Sequence, residues 1–348
     1  MSTYRNIRRY APALALAILI LVALACGETT PTSEPRVSTA TSESAEAQVP
    51  SEQATDTPEP TLEPTEAPTD TPEPQPLYLG DVVEQYEYLL SAVAVEDPTT
   101  PGMFYEPEAG KKLMAVEIIV GNVSGEALSV NPLYATLLDS EGFAYQPELA
   151  GRDRQIVTVY LSPGEKARGW IAFEVPEGAI AASIKYAVDA FGSKVLRTSL
   201  TQPPEGYVPN TEALSIAPPE SQAILGDVFE QYGYSLSATA VEDPTTPGML
   251  YEAEEGYKLV AIEIVVGNVS GEVLTVNPLN AILVDSNGFV YQPELAGRDE
   301  QIALVDLNVG EKAKGWVAFS VPDDAIPASV KYTVDVLSDK CLQAGLTK

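Results

Sequence analysis

The chain has 348 residues, with 50 acidic against 20 basic side chains, a formal charge of −30, two cysteines and no histidine. Such a polyanion lacks the basic face that nucleic acid or an anionic lipid headgroup would require, so solubility is the simpler consequence of its charge. The missing histidine removes the commonest general base and the commonest transition-metal ligand together, which sets aside hydrolase triads and zinc sites.

In chain order, the first segment reads as a targeting signal over residues 1–25. Arg5, Arg8 and Arg9 precede an apolar run from Ala11 to Ala25 that is too short to span a bilayer as a helix. The run ends in Leu21-Val22-Ala23-Leu24-Ala25-Cys26-Gly27, which resembles the lipobox of bacterial lipoproteins. That resemblance implies cleavage before Cys26, lipid attachment to Cys26, and an extracytoplasmic protein held to the outer face of the cell membrane by acyl chains, each buried methylene adding about 0.8 kcal/mol. The alternative is an ordinary cleaved signal with a chance cysteine. With Cys26 consumed, Cys341 has no disulfide partner.

Residues 26–76 hold the lipidated cysteine and a segment of Thr, Pro, Glu, Ser and Ala in which Thr55-Asp56-Thr57-Pro58-Glu59-Pro60 recurs as Thr69-Asp70-Thr71-Pro72-Glu73-Pro74. It carries about a third of the net charge and cannot form a core, so it reads as a disordered stalk reaching between roughly 40 Å as a coil and 150 Å as polyproline II. The rest of the chain is a tandem repeat. A block beginning at Gly80 recurs without insertion or deletion 146 positions later at Gly226, Trp170 matching Trp316 and Tyr186 matching Tyr332. The modules are residues 77–200 and 223–348, separated by a proline-containing linker over 201–222. Cys341 of the second copy matches Val195 of the first, so it reads as a small apolar residue rather than a reactive thiol.

Within each module the dominant period is two. Met114, Val116, Ile118 and Val120 share one strand face, with Glu117 on the other. A first strand is predicted over Tyr86 to Val95; positions 87, 89 and 93, where the copies differ, face solvent, and Tyr86, Tyr88, Leu90, Ala92 and Ala94 face the core. Further strands are predicted at Leu128 to Val130, Tyr134 to Leu138, Phe143 to Tyr145, Gln155 to Leu161, Ala167 to Val175 and Ser183 to Asp189. Asp139-Ser140-Glu141-Gly142 and Asp285-Ser286-Asn287-Gly288 read as hairpin turns ending in a glycine at positive φ. The fold class expected is all-β: two tandem antiparallel immunoglobulin-like β-sandwiches after a lipoprotein signal peptide and a disordered Pro/Thr/Glu-rich stalk.

Lys112 to Glu117 leading into Gly121-Asn122-Val123-Ser124, the Asp139 to Tyr145 hairpin, and Pro163-Gly164-Glu165-Lys166 followed by Gly169 to Pro176 resemble a family of secreted bacterial domains of unknown function. That family has a telokin-like, immunoglobulin-like sandwich similar to a mycobacterial secreted immunogenic protein. The resemblance implies a fold and an extracytoplasmic setting, and it carries no catalytic residues.

Gly121-Asn122-Val123-Ser124-Gly125 has the wrong spacing for a nucleophile elbow and reads as a loop in which Asn122 bonds its own turn. The loop opened by Glu96-Asp97 and closed by Glu106 and Glu108 could gather oxygen ligands for Ca²⁺, but no D-x-[DN]-x-[DN]-G loop is present, and a solvated acidic loop with no cofactor is the expectation. Two loops are identical between the copies: Val95 to Met103 with Val241 to Met249, and Tyr145 to Asp153 with Tyr291 to Asp299. Either they pack on the sandwich, with Tyr145, Pro147 and Leu149 as plugs and an Arg152–Asp153 ion pair, or they form a binding surface repeated on both modules. Strand parity turns Trp170 outward, where it is either covered by the loop through Met103, Phe104 and Tyr105 or open for stacking on a sugar or peptide. The candidate surface is therefore Glu96, Asp97, Arg152, Asp153 and Trp170, repeated as Glu242, Asp243, Arg298, Asp299 and Trp316. The function expected is a non-catalytic, surface-anchored pair of binding or adhesion modules for an extracellular protein or glycan, engaged bivalently. A structural spacer without a ligand is the alternative.

Overall fold

The computed structural model describes residues 76–347 apart from 104, 153–154, 190–191, 220–222, 250, 252–253 and 336–337. The predicted signal segment, Cys26 and the predicted stalk up to residue 75 lie outside the described residues. Module 1 consists of β1 (Val82–Gln85), β2 (Tyr88–Glu96), β3 (Lys111–Asn122), β4 (Leu128–Val130), β5 (Ala135–Asp139), β6 (Ala144–Tyr145), β7 (Val159–Leu161), β8 (Lys166–Pro176), β9 (Ala181–Ala187) and β10 (Val195–Ser199). One sheet runs β1-β2-β3-β8, the other β10-β9-β5-β6, and β4 pairs with β7 as a ribbon at one end, every pairing being antiparallel. Module 2 repeats the plan with β11 (Phe229–Gln231), β12 (Tyr234–Glu242), β13 (Tyr257–Asn268), β14 (Leu274–Val276), β15 (Ala281–Asp285), β16 (Val290–Tyr291), β17 (Val305–Leu307), β18 (Lys312–Pro322), β19 (Pro327–Thr333) and β20 (Cys341–Gly345).

The period of two places Met114, Val116, Ile118 and Val120 of β3 opposite Ile171, Phe173 and Val175 of β8 in the core, all fully buried. Tyr186 closes the end of this core, its hydroxyl accepting from the Asn131 N–H at 2.9 Å and donating to the Asn131 carbonyl at 3.2 Å; Tyr332 does the same with Asn277. A buried phenol is thereby satisfied on both counts. Asn122 bonds its own turn as expected, its Oδ1 accepting the Ser124 N–H at 2.8 Å, and its Nδ2 also reaches the Leu161 carbonyl. Gly142 and Gly288 lie at φ of 89° and 83°, and Asp139 Oδ1 accepts the N–H groups of Glu141 and Phe143 within that turn.

The predicted first strand needs correction. Tyr86 and Glu87 adopt φ of 55° and 69° and form the turn between β1 and β2, so Tyr86 is exposed rather than inward. Positive φ at both central positions is what a tight type I′ hairpin demands, and Gly233 in the second copy is the residue best suited to it. Tyr88, Leu90 and Ala92 face the core as predicted, a register shift after Ala92 leaves Ala94 half-buried, and Leu89 is buried instead of solvent-facing. Leu89 sits over Gly121, where a Cβ would approach its side chain to 2.7 Å. Gln155 to Leu161 is mostly loop: Val159–Leu161 forms a strand, and Gln155 makes an isolated bridge to Trp170.

The two modules dock. The turn of module 1 before β8 inserts against the outer face of module 2's second sheet, so Ile282, Val284 and Val290 join the buried cluster of module 1. Lys331 Nζ bonds Glu165 Oε2 at 2.6 Å and Ser162 Oγ at 3.1 Å, the two charged side chains being 2% and 1% exposed. The Lys166 N–H donates to the Gly288 carbonyl, and its buried ammonium bonds the Ile216 carbonyl and lies 5.6 Å from the Phe289 ring centre. Residues 201–216 are not a free tether: Asp81, itself buried, accepts from the Tyr207 hydroxyl and the Asn210 N–H, both at 2.9 Å, and the Val82 N–H donates to the Asn210 carbonyl.

Candidate functional site

The two identical loops come together on the outer side of β8. Gly102 N–H donates to the Gly151 carbonyl at 2.8 Å, and Arg152 forms a two-pronged bond to Glu96, both contacts 3.1 Å. The Arg152 guanidinium lies 4.1 Å from the centre of the Trp170 ring, where the π face of an indole attracts a cation. Thr99 donates its hydroxyl to the same Glu96. Module 2 builds the same cluster: Arg298 bonds Glu242 and Thr245 and lies 4.2 Å from the Trp316 ring. The Arg298 guanidinium is the leading cause that holds the Glu242 carboxyl below its ordinary range.

The second loop is fixed along the free edge of β8. Glu148 N–H donates to the Ala172 carbonyl, Ile156 N–H to the Trp170 carbonyl, and the Gln155 amide spans back to the Glu148 and Leu149 carbonyls while accepting from Ala172 N–H. Gly151 is required by close approach, since a Cβ there would meet Ala172 Cβ at 2.9 Å. Backbone groups that an edge strand would leave open are thus covered by the loop. Tyr145 is half-buried with its hydroxyl on Asp139 at 2.7 Å, and burial, aided by that contact, pushes the phenol up to about 12. Pro147 forms a bridge to Phe173.

Several expected placements change. Trp170 faces outward as parity required and is half-buried, with the Arg152 guanidinium over its ring; Met103 is exposed, and Phe104 lies outside the described residues. Arg152 pairs with Glu96, while Asp153 lies outside the described residues; in module 2 Asp299 accepts the Met249 N–H. Leu149 is exposed rather than a plug. Of the acidic loop, Glu96 is held by Arg152, Asp97 pairs with Lys112 at 2.7 Å and Glu108 with Lys111 at 2.7 Å; Asp243 pairs likewise with Lys258. Each of these carboxylates points at a cation, and among the described residues no three His, Cys, Asp or Glu side chains converge as a metal site would need. Cys341 opens β20 half-buried, and burial raises its thiol pKa.

What sequence reasoning missed is the inter-module cleft of about 560 Å³ beside this cluster, lined by Arg168 and Trp170 of module 1 and by Tyr257, Phe289 and Tyr291 of module 2. Arg168 makes a two-pronged bond to the buried Glu117 at 2.9 and 3.0 Å, the main cause of its raised pKa, and remains about half exposed toward the cleft. The cleft exists only where a second module follows the first, so Trp316 does not line it. A signal was available: Ile282 and Val290 of the docked face stand where the first copy has Thr136 and Ala144, an apolar drift with no cause inside a single sandwich.

The family described as "Domain of unknown function (DUF4352)" matches residues 79–196 and again residues 224–342. No curated protein matches the chain. Among crystal structures, the chain is similar to the candidate lipoprotein ycdA of Bacillus subtilis subsp. subtilis str. 168, with 13% identity over 34% of this chain and a TM-score of 0.30. It spans 38% of the length of ycdA. Similarity to yjhA of Bacillus subtilis is 13% identity over 36% of this chain and 98% of that one, TM-score 0.29. For MPT63, a secreted protein of Mycobacterium tuberculosis, the values are 16%, 38% and 100%, TM-score 0.28.

Proposed function

Since the chain belongs to the DUF4352 family through both of its modules, we propose that it is a non-catalytic, extracytoplasmic binding protein. Acyl chains on Cys26 hold it to the outer face of the membrane, and an acidic stalk carries the docked pair of sandwiches away from that surface. The observation that supports a binding role is the cleft between the modules, where half-buried aromatic rings of both copies meet the exposed side of Arg168. Concave sites with aromatic walls and a few placed charges suit a sugar or a peptide segment. No cofactor enters this reading, and docking gives one cleft per chain in place of two equivalent sites, so bivalency would need two chains.

A screen of glycans and envelope proteins with the whole chain, Tyr257→Ala and Trp170→Ala tests it. Binding by the native chain that both variants lose supports the cleft; binding that both retain places the ligand elsewhere; silence from the native chain favours the spacer reading. The anchor is tested separately by labelled palmitate, which enters the native chain and is lost in Cys26→Ala.

A further inference from the structure

The contact between the modules uses two different surfaces, and each exists twice. Module 1 supplies the turn before β8, and module 2 supplies the outer face of β15, β16 and β19. Among the described residues, the matching turn on module 2 and the matching face on module 1 are left over. Glu165 and Lys166 are 1% exposed in the contact, whereas Glu311 and Lys312 are exposed. Lys331 is 2% exposed, whereas Lys185 at the same place is half-buried with no ion-pair partner among the described residues; Phe289 is half-buried, whereas Phe143 is 60% exposed. A Cβ on Gly288 would strike Pro218 at 2.6 Å, and one on Gly142 would meet nothing. The spare turn is also flanked by apolar residues open to water, Leu304 at 63% and Val309 at 60% exposure.

We infer that a second copy of this chain docks its module 2 turn onto the free face of module 1, Glu311 meeting Lys185 as Glu165 meets Lys331. A contact of this kind joins unlike surfaces, so it does not close into a dimer; it repeats head to tail along a row of chains. Charge complementarity and the occupied intrachain counterpart both select a copy of this chain as the occupant. Thr136 and Ala144 make the free face less apolar than its Ile282 and Val290 counterpart, and the wedge of residues 216–218 belongs to the intrachain contact alone. The contact between chains is therefore the weaker one, and it forms at the crowding that tethering to one surface provides, about 1 mM in effective concentration.

The test is sedimentation of the full chain bearing Cys26→Ser, so that no lipid drives association, at concentrations up to about 1 mM. The expected result is an average mass that climbs with concentration without levelling at a dimer. Lys185→Glu alone and Glu311→Lys alone each weaken assembly by more than about a hundredfold, because each sets like charges face to face. An equimolar mixture of the two variants assembles again, since junctions between unlike variants can pair opposite charges. Glu311 also caps its own turn, its Oε2 accepting the Asn308 N–H at 2.7 Å, and Lys185→Glu leaves that turn untouched. A mass that stays monomeric throughout, or assembly indifferent to both variants, overturns the inference.

Discussion

Replacing Lys331 by Met probes the docking of the modules where it is most sensitive to charge. In the native chain the ammonium bonds Glu165, Ser162 Oγ and, at 3.3 Å, the Tyr160 carbonyl, in a junction from which solvent is excluded. Met fills much of the same volume but leaves the Glu165 carboxylate buried with the Ser162 N–H, 2.7 Å away, as its remaining partner. Removing one member of a buried pair costs about 3–5 kcal/mol. Against it stand Ile282, Val284 and Val290, each contributing about 1.5–3 kcal/mol through burial. The cost offsets a large part of that apolar contribution, and Glu165 can regain water simply by leaving, as its exposed counterpart Glu311 shows. The expected outcome is therefore separation of the modules rather than unfolding of either. Calorimetry should change from one transition to two, and the radius of gyration from small-angle scattering should grow. Glu165→Leu combined with Lys331→Met removes both charges and should return the single transition. A Lys331→Met chain with native melting temperature and native radius would refute the reasoning.

Arg152→Ala removes the cover of Trp170 and the pair to Glu96; a loss of about 1–2 kcal/mol is expected, together with stronger acrylamide quenching of half the tryptophan signal, and unchanged quenching would show that something else shields the indole. In Glu174, bonds from Lys111 and Tyr105 lower the carboxyl from 4.5 to about 2. A depressed carboxyl adds stability that is complete above pH 4.5 and is lost as pH falls toward 2, so stability should decline across that window; Glu174→Ser, copying Ser320 of module 2, should flatten the decline. Cys341, whose thiol pKa is raised by burial, should react with iodoacetamide at about pH 8 several-fold more slowly in the folded chain than in guanidinium.

Much of the sandwich could be read from β3 and β8, because a period of two and a gapless duplication each constrain which side chain points inward. The Tyr86–Glu87 turn escaped because Glu at positive φ breaks the rule by which such turns are recognised, and only its partner Gly233 obeys it. Leu89 escaped for a different reason. Parity assigns a face, but it does not say whether that face is roofed, and the bare backbone of Gly121 gave Leu89 a seat. The loop cluster was half legible: identity between copies marked both loops, while the pairing of Arg152 with Glu96 depends on a contact 56 residues apart. The docking of the modules involves pairs such as Lys331 and Glu165, 166 residues apart, and short-range periodicity contains no trace of it.

The bonds on Asp81 have a mechanical consequence. Tension arriving from the preceding residues would reach the sandwich at Tyr78 to Val82, and there the chain is laced to Thr201, Tyr207 and Asn210 by hydrogen bonds that include Leu79 N–H to the Thr201 carbonyl. The load would divide between the segment linking the modules and the first sheet, where the Ala92 carbonyl of β2 accepts the Gly80 N–H. Pulling on the first module's end would therefore tug at its junction with the second as well as at its own sheet.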